Sequence, residues 1–223
     1  MDRYYPFQLD PLDYRFNELE PVLDLQTVLL HYSGCQQNCA PRLNAVLEGW
    51  PRYQDWSLCR LLANAGRLPP ALREPVQRYG GKLLGHQLYF SSMTPPVGQQ
   101  PDEELAATIR DSFGSLEGLR QRFAQAGGAL PGVGWVWLVT GRRGQLRVTA
   151  TRDDETPLPQ GLAPVLCCDR WEHAYFLQYK GQADRYQEAW WQLVDWKAAG
   201  ERYRQREDIL QAMAGQSTRR AYG

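Results

Sequence analysis

The chain has 223 residues, 43% hydrophobic and 22% charged, enough for a real core in one large domain or two small ones. Lys plus Arg number 25 and Asp plus Glu number 25, so the formal net charge is zero, which argues against bulk-charge binding to nucleic acid or an anionic membrane. No run approaches the roughly 20 apolar residues that span a bilayer, no secretory signal is visible, and five cysteines lack a regular framework, so a cytoplasmic globular protein is expected.

The first residues are aromatic and proline-containing and read as an extended lead-in. From Glu18 the pattern turns helical: Leu19, Val22, Leu23, Val28, Leu29 and Leu30 lead through His31 to Leu43, Val46 and Leu47 at close to a 3.6-residue period. Pro41 predicts a kink or a boundary within that run. Helices are predicted over residues 56–64 and 71–79, with Gly80-Gly81 as a break before another at 82–90. Met93-Thr94-Pro95-Pro96-Val97-Gly98 fits neither a helix nor a central strand and marks the domain boundary.

Beyond it, residues 102–113 and 115–126 predict short helices with acidic residues near their starts. Strands follow at 133–140, 145–151 and 163–168, the first two joined by a hairpin turn at Gly141-Arg142-Arg143-Gly144. Residues 187–204 predict one helix carrying Trp190, Trp191 and Trp196, and the last ten residues a disordered end. The organisation is an all-helical first part and an α+β second part. No repeat, phosphate loop or low-complexity segment stands out.

Only three histidines occur, His31, His86 and His173. Asp169 and His173 are four apart, a spacing that puts both side chains on one face of a helical turn, where they can share a metal. Three His and one Asp can form a redox site for iron or manganese, or a zinc site, and spacing alone does not choose.

The segment Asp169-Arg170-Trp171-Glu172-His173-Ala174-Tyr175 resembles the signature of iron/manganese superoxide dismutases. Leu19-Glu20-Pro21 with Thr27-Val28-Leu29-Leu30-His31 resembles that family's first helix, and Gly85-His86-Gln87-Leu88-Tyr89 its second ligand helix. Ser112-Phe113-Gly114-Ser115, Gly132 to Val139, Thr156-Pro157-Leu158 and Trp191 to Trp196 follow the family in order, so the likeness spans about residues 5–200. It implies an N-terminal helical hairpin domain, 1–95, and a C-terminal α/β domain with a small three-stranded antiparallel sheet, 96–212, with 213–223 as a tail. It implies one iron or manganese ion per subunit, held by His31, His86, Asp169 and His173. That ion would alternate between +3 and +2 states while superoxide becomes oxygen and hydrogen peroxide. Trp135 and Trp171 fall where the family walls its metal pocket. Glu172 implies a symmetric homodimer, because in the family this glutamate crosses the interface to a ligand histidine.

Around the ligands the chain departs from the family. The gating tyrosine, eight residues after the first ligand, is Cys39 here. The histidine four residues after that ligand and its partner tyrosine are Cys35 and Phe176. The glutamine that faces the bound solvent is replaced, on its two alternative elements, by Lys82 and Asp154, which are expected to pair beside the metal. The channel arginine and a lysine near the mouth are Ala183 and Gly34; Arg185, Lys180 or Lys82 are the candidates to compensate. Tyr89 followed by Phe90 resembles an iron-type Tyr-Trp pair and leans toward iron.

Cys35, Cys39, Cys167 and Cys168 all align near the metal, with Cys167 two residues before Asp169. They read either as small buried fillers or as a thiol-lined pocket reactive toward peroxide. The leading expectation is superoxide dismutation with a reduced rate and altered pH dependence. The alternatives are a thiol- or peroxide-dependent oxidoreductase on the same scaffold, or a non-catalytic metal-binding sensor.

Overall fold

The computed structural model describes residues 4–215, except for the side chains of Cys35 and Gln36. Helix α1 (Leu25–Leu30) starts at Asp24, whose carboxylate accepts a hydrogen bond from the Thr27 N–H. It widens into a π-helical stretch at His31–Gln36 before α2 (Cys39–Glu48) begins. Pro41 lies in the first turn of α2, where a missing N–H costs no intrahelical bond, so it marks a restart.

Helices α3 (Pro51–Gln54), α4 (Leu58–Ala63) and α5 (Pro70–Pro75) follow. Pro75 has no N–H to continue the ladder of α5 unchanged, and a second π-helical stretch, Val76–Gly80, takes over. It runs without interruption into α6 (Gly81–Ser91), so the expected break at Gly80-Gly81 does not exist.

Those glycines serve close packing instead. A Cβ on Gly81 would lie 1.9 Å from the Asp154 carbonyl oxygen, and one on Gly85 2.7 Å from the Trp135 ring. Helix α6 is thereby laid directly on the strand that carries Trp135 and on the loop that carries Asp154. Gly81→Ala is expected to destabilise the metal-free protein by about 1–3 kcal/mol through overpacking against backbone. A thermal midpoint equal to wild type would show that α6 does not approach the loop this closely.

Asp102 and Ser115 cap α7 (Glu103–Phe113) and α8 (Leu116–Gly128). The sheet has the order β2-β1-β3, antiparallel throughout: β1 (Gly134–Thr140), β2 (Leu146–Arg152) and β3 (Ala163–Asp169). After it come α9 (Phe176–Tyr179), α10 (Ala183–Trp190), α11 (Trp196–Arg204) and α12 (Arg206–Ala214). The single helix expected over 187–204 is split. Val194 turns extended and bridges Met93, and Asp195 restarts the chain by accepting from the Ala198 N–H.

Helix α12 was not foreseen. It packs Ile209, Leu210 and Met213 into the N-terminal core, so Met213 and Ala214 are helical where a tail was expected. Residues 216–223, the rest of that expected tail, lie outside the described residues.

Two apolar clusters form the interior. One joins β1, β3, α7, α8 and the C-terminal tryptophans to Leu19, Val28 and the Leu88–Phe90 end of α6. The other joins α2, α4 and α12 to Leu83 and Leu84 of the same helix. Helix α6 thus threads both clusters, and His86 sits where they meet.

Candidate metal centre

His31 opens the first π-helical stretch, His86 lies within α6, and Asp169 is the last residue of β3. His173 belongs to a short 3-10 turn, Glu172–Ala174. The helical turn expected to join Asp169 and His173 is therefore not what brings them together. Trp171 is extended, and its N–H donates to Asp169 Oδ1 at 2.7 Å, folding the segment back so that both side chains reach one point.

The four donor atoms lie within 4.8 Å of one another. Asp169 Oδ2 is 3.2 Å from His31 Nε2, 3.4 Å from His173 Nε2 and 3.9 Å from His86 Nε2. His31, His86 and Asp169 are buried, and His173 remains 29% exposed.

The electrostatics of this cluster fit a bound cation. Burial lowers the basicity of His31 and holds His86 down to about 3, so both imidazoles are neutral near pH 7. The Asp169 carboxyl is opposed by burial but held below its ordinary range by His173 and His31. His86 Nδ1 faces the Lys82 carbonyl at 2.8 Å, which places its proton there and turns the Nε2 lone pair inward. That lone pair meets His173 Nε2 at 3.4 Å. Asp169 Oδ2 and His31 Nε2 are buried without a hydrogen-bond partner. Nitrogen and carboxylate donors converging on one buried point fit iron, manganese or zinc.

Aromatic rings enclose the cluster. Trp135 stands edge-on to His86 at 5.1 Å, and its indole N–H donates to the Asp153 carbonyl, fixing the loop beside α6. Trp171 stacks on His173 at 5.7 Å, and Tyr89 and Phe90 lie 5.2 and 4.8 Å from His31. Sequence reasoning missed Tyr186, whose hydroxyl donates to that of Tyr89 at 3.0 Å and also meets the Cys168 thiol. Its distance from Tyr89 in the chain left no local signal.

Lys82 and Asp154 do meet. Lys82 Nζ is 3.8 Å from Asp154 Oδ2, ion-pair range without a hydrogen bond, and 5.2 Å from the centre of the Trp171 ring. Burial raises the Asp154 carboxyl to about 6 against the pull of Lys82. Asp154 Oδ1 and Trp171 Nε1 are both buried without a hydrogen-bond partner.

Cys39 is buried and lines the opening to the site, while Cys167 and Cys168 lie in β3 just before Asp169. Burial pushes both β3 thiols above their ordinary range. The side chain of Cys35 lies outside the described ones.

The opening itself is a pocket of about 230 Å³, lined by Gly34, Cys39, His86, Trp171 and His173 and by three cations, Arg42, Arg78 and Lys82. Of the candidates to replace the family's lost cations, only Lys82 is there. Lys180 caps the Leu177 carbonyl and Arg185 leans on Gln182. Arg42 and Arg78 were not foreseen.

Among the described residues, fold and site together define one candidate site for a single metal ion, where a helical part meets an α/β part. The alpha-hairpin domain of iron/manganese superoxide dismutases matches residues 6–94, and the C-terminal domain of the same enzymes matches residues 101–202. The chain is 36% identical over 202 residues to "Superoxide dismutase [Mn] 1" of Leptolyngbya boryana, covering 90% of this chain and 82% of that protein. Against "Superoxide dismutase [Mn]" of Pseudomonas aeruginosa it is 36% identical over 200 residues, covering 90% and 98%. The protein of the same name from Bordetella pertussis is also 36% identical, over 198 residues. The chain belongs to the iron/manganese superoxide dismutase family.

Proposed function

We propose that this chain dismutates superoxide at one iron or manganese ion held by His31, His86, Asp169 and His173. The observation that carries the reading is the buried donor set itself, with Asp169 Oδ2 and His31 Nε2 lacking any hydrogen-bond partner. When bound, the ion supplies one-electron chemistry, cycling between +3 and +2.

The protein's part is to hold and shield that ion. Trp135, Trp171, Tyr89 and Phe90 pack against the ligand imidazoles and fix their orientation. The Lys82 carbonyl orients His86, and the Asp169 carboxylate, fixed by the Trp171 N–H, supplies the negative charge. The resemblance assigns Lys82 and Asp154 to the positions of the glutamine that faces the bound solvent in the family, and Lys82 lines the opening. Cys39, in the place of the gating tyrosine, offers a smaller and weaker hydrogen-bonding group, which favours a reduced rate.

We also propose a homodimer. Leu25, Leu29, Leu30, Phe176 and Leu177 are exposed large apolar residues on α1 and α9 near the ligands, with Leu30 52% and Phe176 48% accessible. Glu172 is exposed beside the part-exposed His173, and covering this face with a second copy would let each Glu172 reach the other subunit's His173. A cytoplasmic location is proposed from the five cysteines, an odd number with no regular framework. No described helix is long and apolar enough to cross a membrane.

The buried thiols, raised at Cys167 and Cys168, give no support to thiol chemistry as the main activity. The test is the dismutation rate per mole of bound metal, on protein loaded separately with iron and manganese. The reading expects clear activity with at least one metal. Negligible rates in both metal-replete forms would remove it.

A further inference from the structure

The opening above the ligands carries a charge arrangement that the mechanism of the site does not require. Among the described residues that line it, Arg42, Arg78 and Lys82 are cationic and none is a carboxylate. Arg42 and Arg78 come from different elements, α2 and the second π-helical stretch, yet both face Tyr79 of that stretch. Their guanidinium carbons stand 5.8 and 5.7 Å from the centre of its ring. Lys82 sits over Trp171 across the same opening. Each cation is thus seated on an aromatic ring, an attraction that biases an otherwise mobile side chain toward one place.

Local structure accounts for this gathering. The π-helical stretch begins after Pro75 and ends at Gly80, and a wider turn presents Arg78 and Tyr79 together toward α2. Gly34, in the other π-helical stretch, leaves its side of the opening without a side chain.

We propose that Arg42 and Arg78 are the cations that draw the anionic substrate into this site and set its affinity for small anions. They act on encounter and touch no reacting atom. Because the whole chain has no net charge, attraction has to come from a local cluster. A low-dielectric cleft concentrates such a field, and steering raises encounter rates by roughly 10- to 1,000-fold. Two nearby acids set its limits. Glu74 lies 3.7 Å from Arg78 at the exposed rim, and Asp154 lies 3.8 Å from Lys82. The Arg78–Glu74 pair is exposed on both sides and screened by water, so it leaves most of the guanidinium field intact. The largely buried Asp154, by contrast, offsets Lys82 and leaves Arg42 and Arg78 as the effective cations.

The experiment compares wild type, Arg42→Gln/Arg78→Gln, Arg42→Lys/Arg78→Lys and Glu74→Gln, all metal-replete, with metal content and thermal midpoint recorded for each. Two quantities are read across ionic strength: kcat/KM for superoxide, and the dissociation constant of azide from its optical titration. At low salt the double Gln variant is expected to lose about threefold to tenfold in kcat/KM and in azide affinity, with Glu74→Gln shifting both the other way. The differences should shrink as the Debye length falls to roughly 8 Å at physiological salt. The double Lys variant should stay close to wild type. Superimposed salt profiles and azide affinities for wild type and the Gln variant would overturn the proposal. So would equal losses in the Gln and Lys variants, which would assign the effect to packing on Tyr79. Azide affinity is read whether or not the enzyme turns over, so this test is separate from that of the dismutase reading.

Discussion

Asp169→Asn is expected to lose both metal retention and superoxide dismutation. The change is nearly isosteric, and Asn can still accept the Trp171 N–H that folds the ligand segment back. What disappears is the only carboxylate among the four converging donors. In wild type that buried negative charge lies 3.2–3.9 Å from three imidazole nitrogens. Three neutral nitrogens would leave a divalent or trivalent ion buried with its full charge, and an amide is a poor substitute. Changing groups that merely orient ligands costs roughly 10- to 100-fold in metal affinity, so removing this ligand should exceed that. Metal per subunit after dialysis against a mild chelator is the direct measurement. The thermal midpoint is the second: added manganese or iron should raise it in wild type, by about 2.7 kcal/mol of stability at a hundred times the dissociation constant, and not in the variant. A variant that retains metal at the wild-type ratio would remove Asp169 from the ligand set.

That Asp169 and His173 belong to one site was legible because five consecutive residues carry the chemistry, even though the turn joining them is extended and then 3-10. The three-stranded sheet was legible too, since β1 is an apolar run and β2 alternates Leu146, Val148 and Ala150 with polar residues, the two joined by a Gly-rich turn. Other features are decided by contacts far apart in the chain. Gly80-Gly81 carries a local signal for a break, but packing against Leu62, Leu58 and the Asp154 backbone overrides it and keeps the helix going. The aromatic pattern through Trp190, Trp191 and Trp196 hides a break that only the pairing of Val194 with Met93 reveals. Ile209, Leu210 and Met213 do form a helical stripe, masked by the polar sequence that follows. Arg42 and Arg78 are unremarkable as sequence, because their meeting at Tyr79 depends on two π-helical stretches that no hydrophobic period encodes.

Asp154→Asn is expected to stabilise the metal-free protein at pH 8 and leave it unchanged at pH 4. The buried Asp154 carboxyl is raised from an ordinary 3.8 to about 6, burial outweighing the ammonium 3.8 Å away. A raised acid binds its proton more tightly in the folded state. It therefore adds stability below about pH 4 and loses that contribution as pH rises through 6. The loss corresponds to about 3 kcal/mol at most, since each pH unit between the two values is worth about 1.4 kcal/mol. Asn has the shape of the protonated acid at every pH, so its advantage should grow from pH 4 to pH 7 and then level off. The histidines titrate in both proteins, and the difference between the two unfolding curves cancels them. A variant less stable than wild type above pH 6 would mean that attraction to Lys82 outweighs the burial of the carboxylate. The expected sign has a consequence for the site. A carboxylate whose Oδ1 is buried and unpartnered weakens the fold at neutral pH, so packing does not account for an acid at this position. It stands 3.8 Å from Lys82, on the loop that Trp135 ties to α6, so the cost of burying it falls beside the ligands.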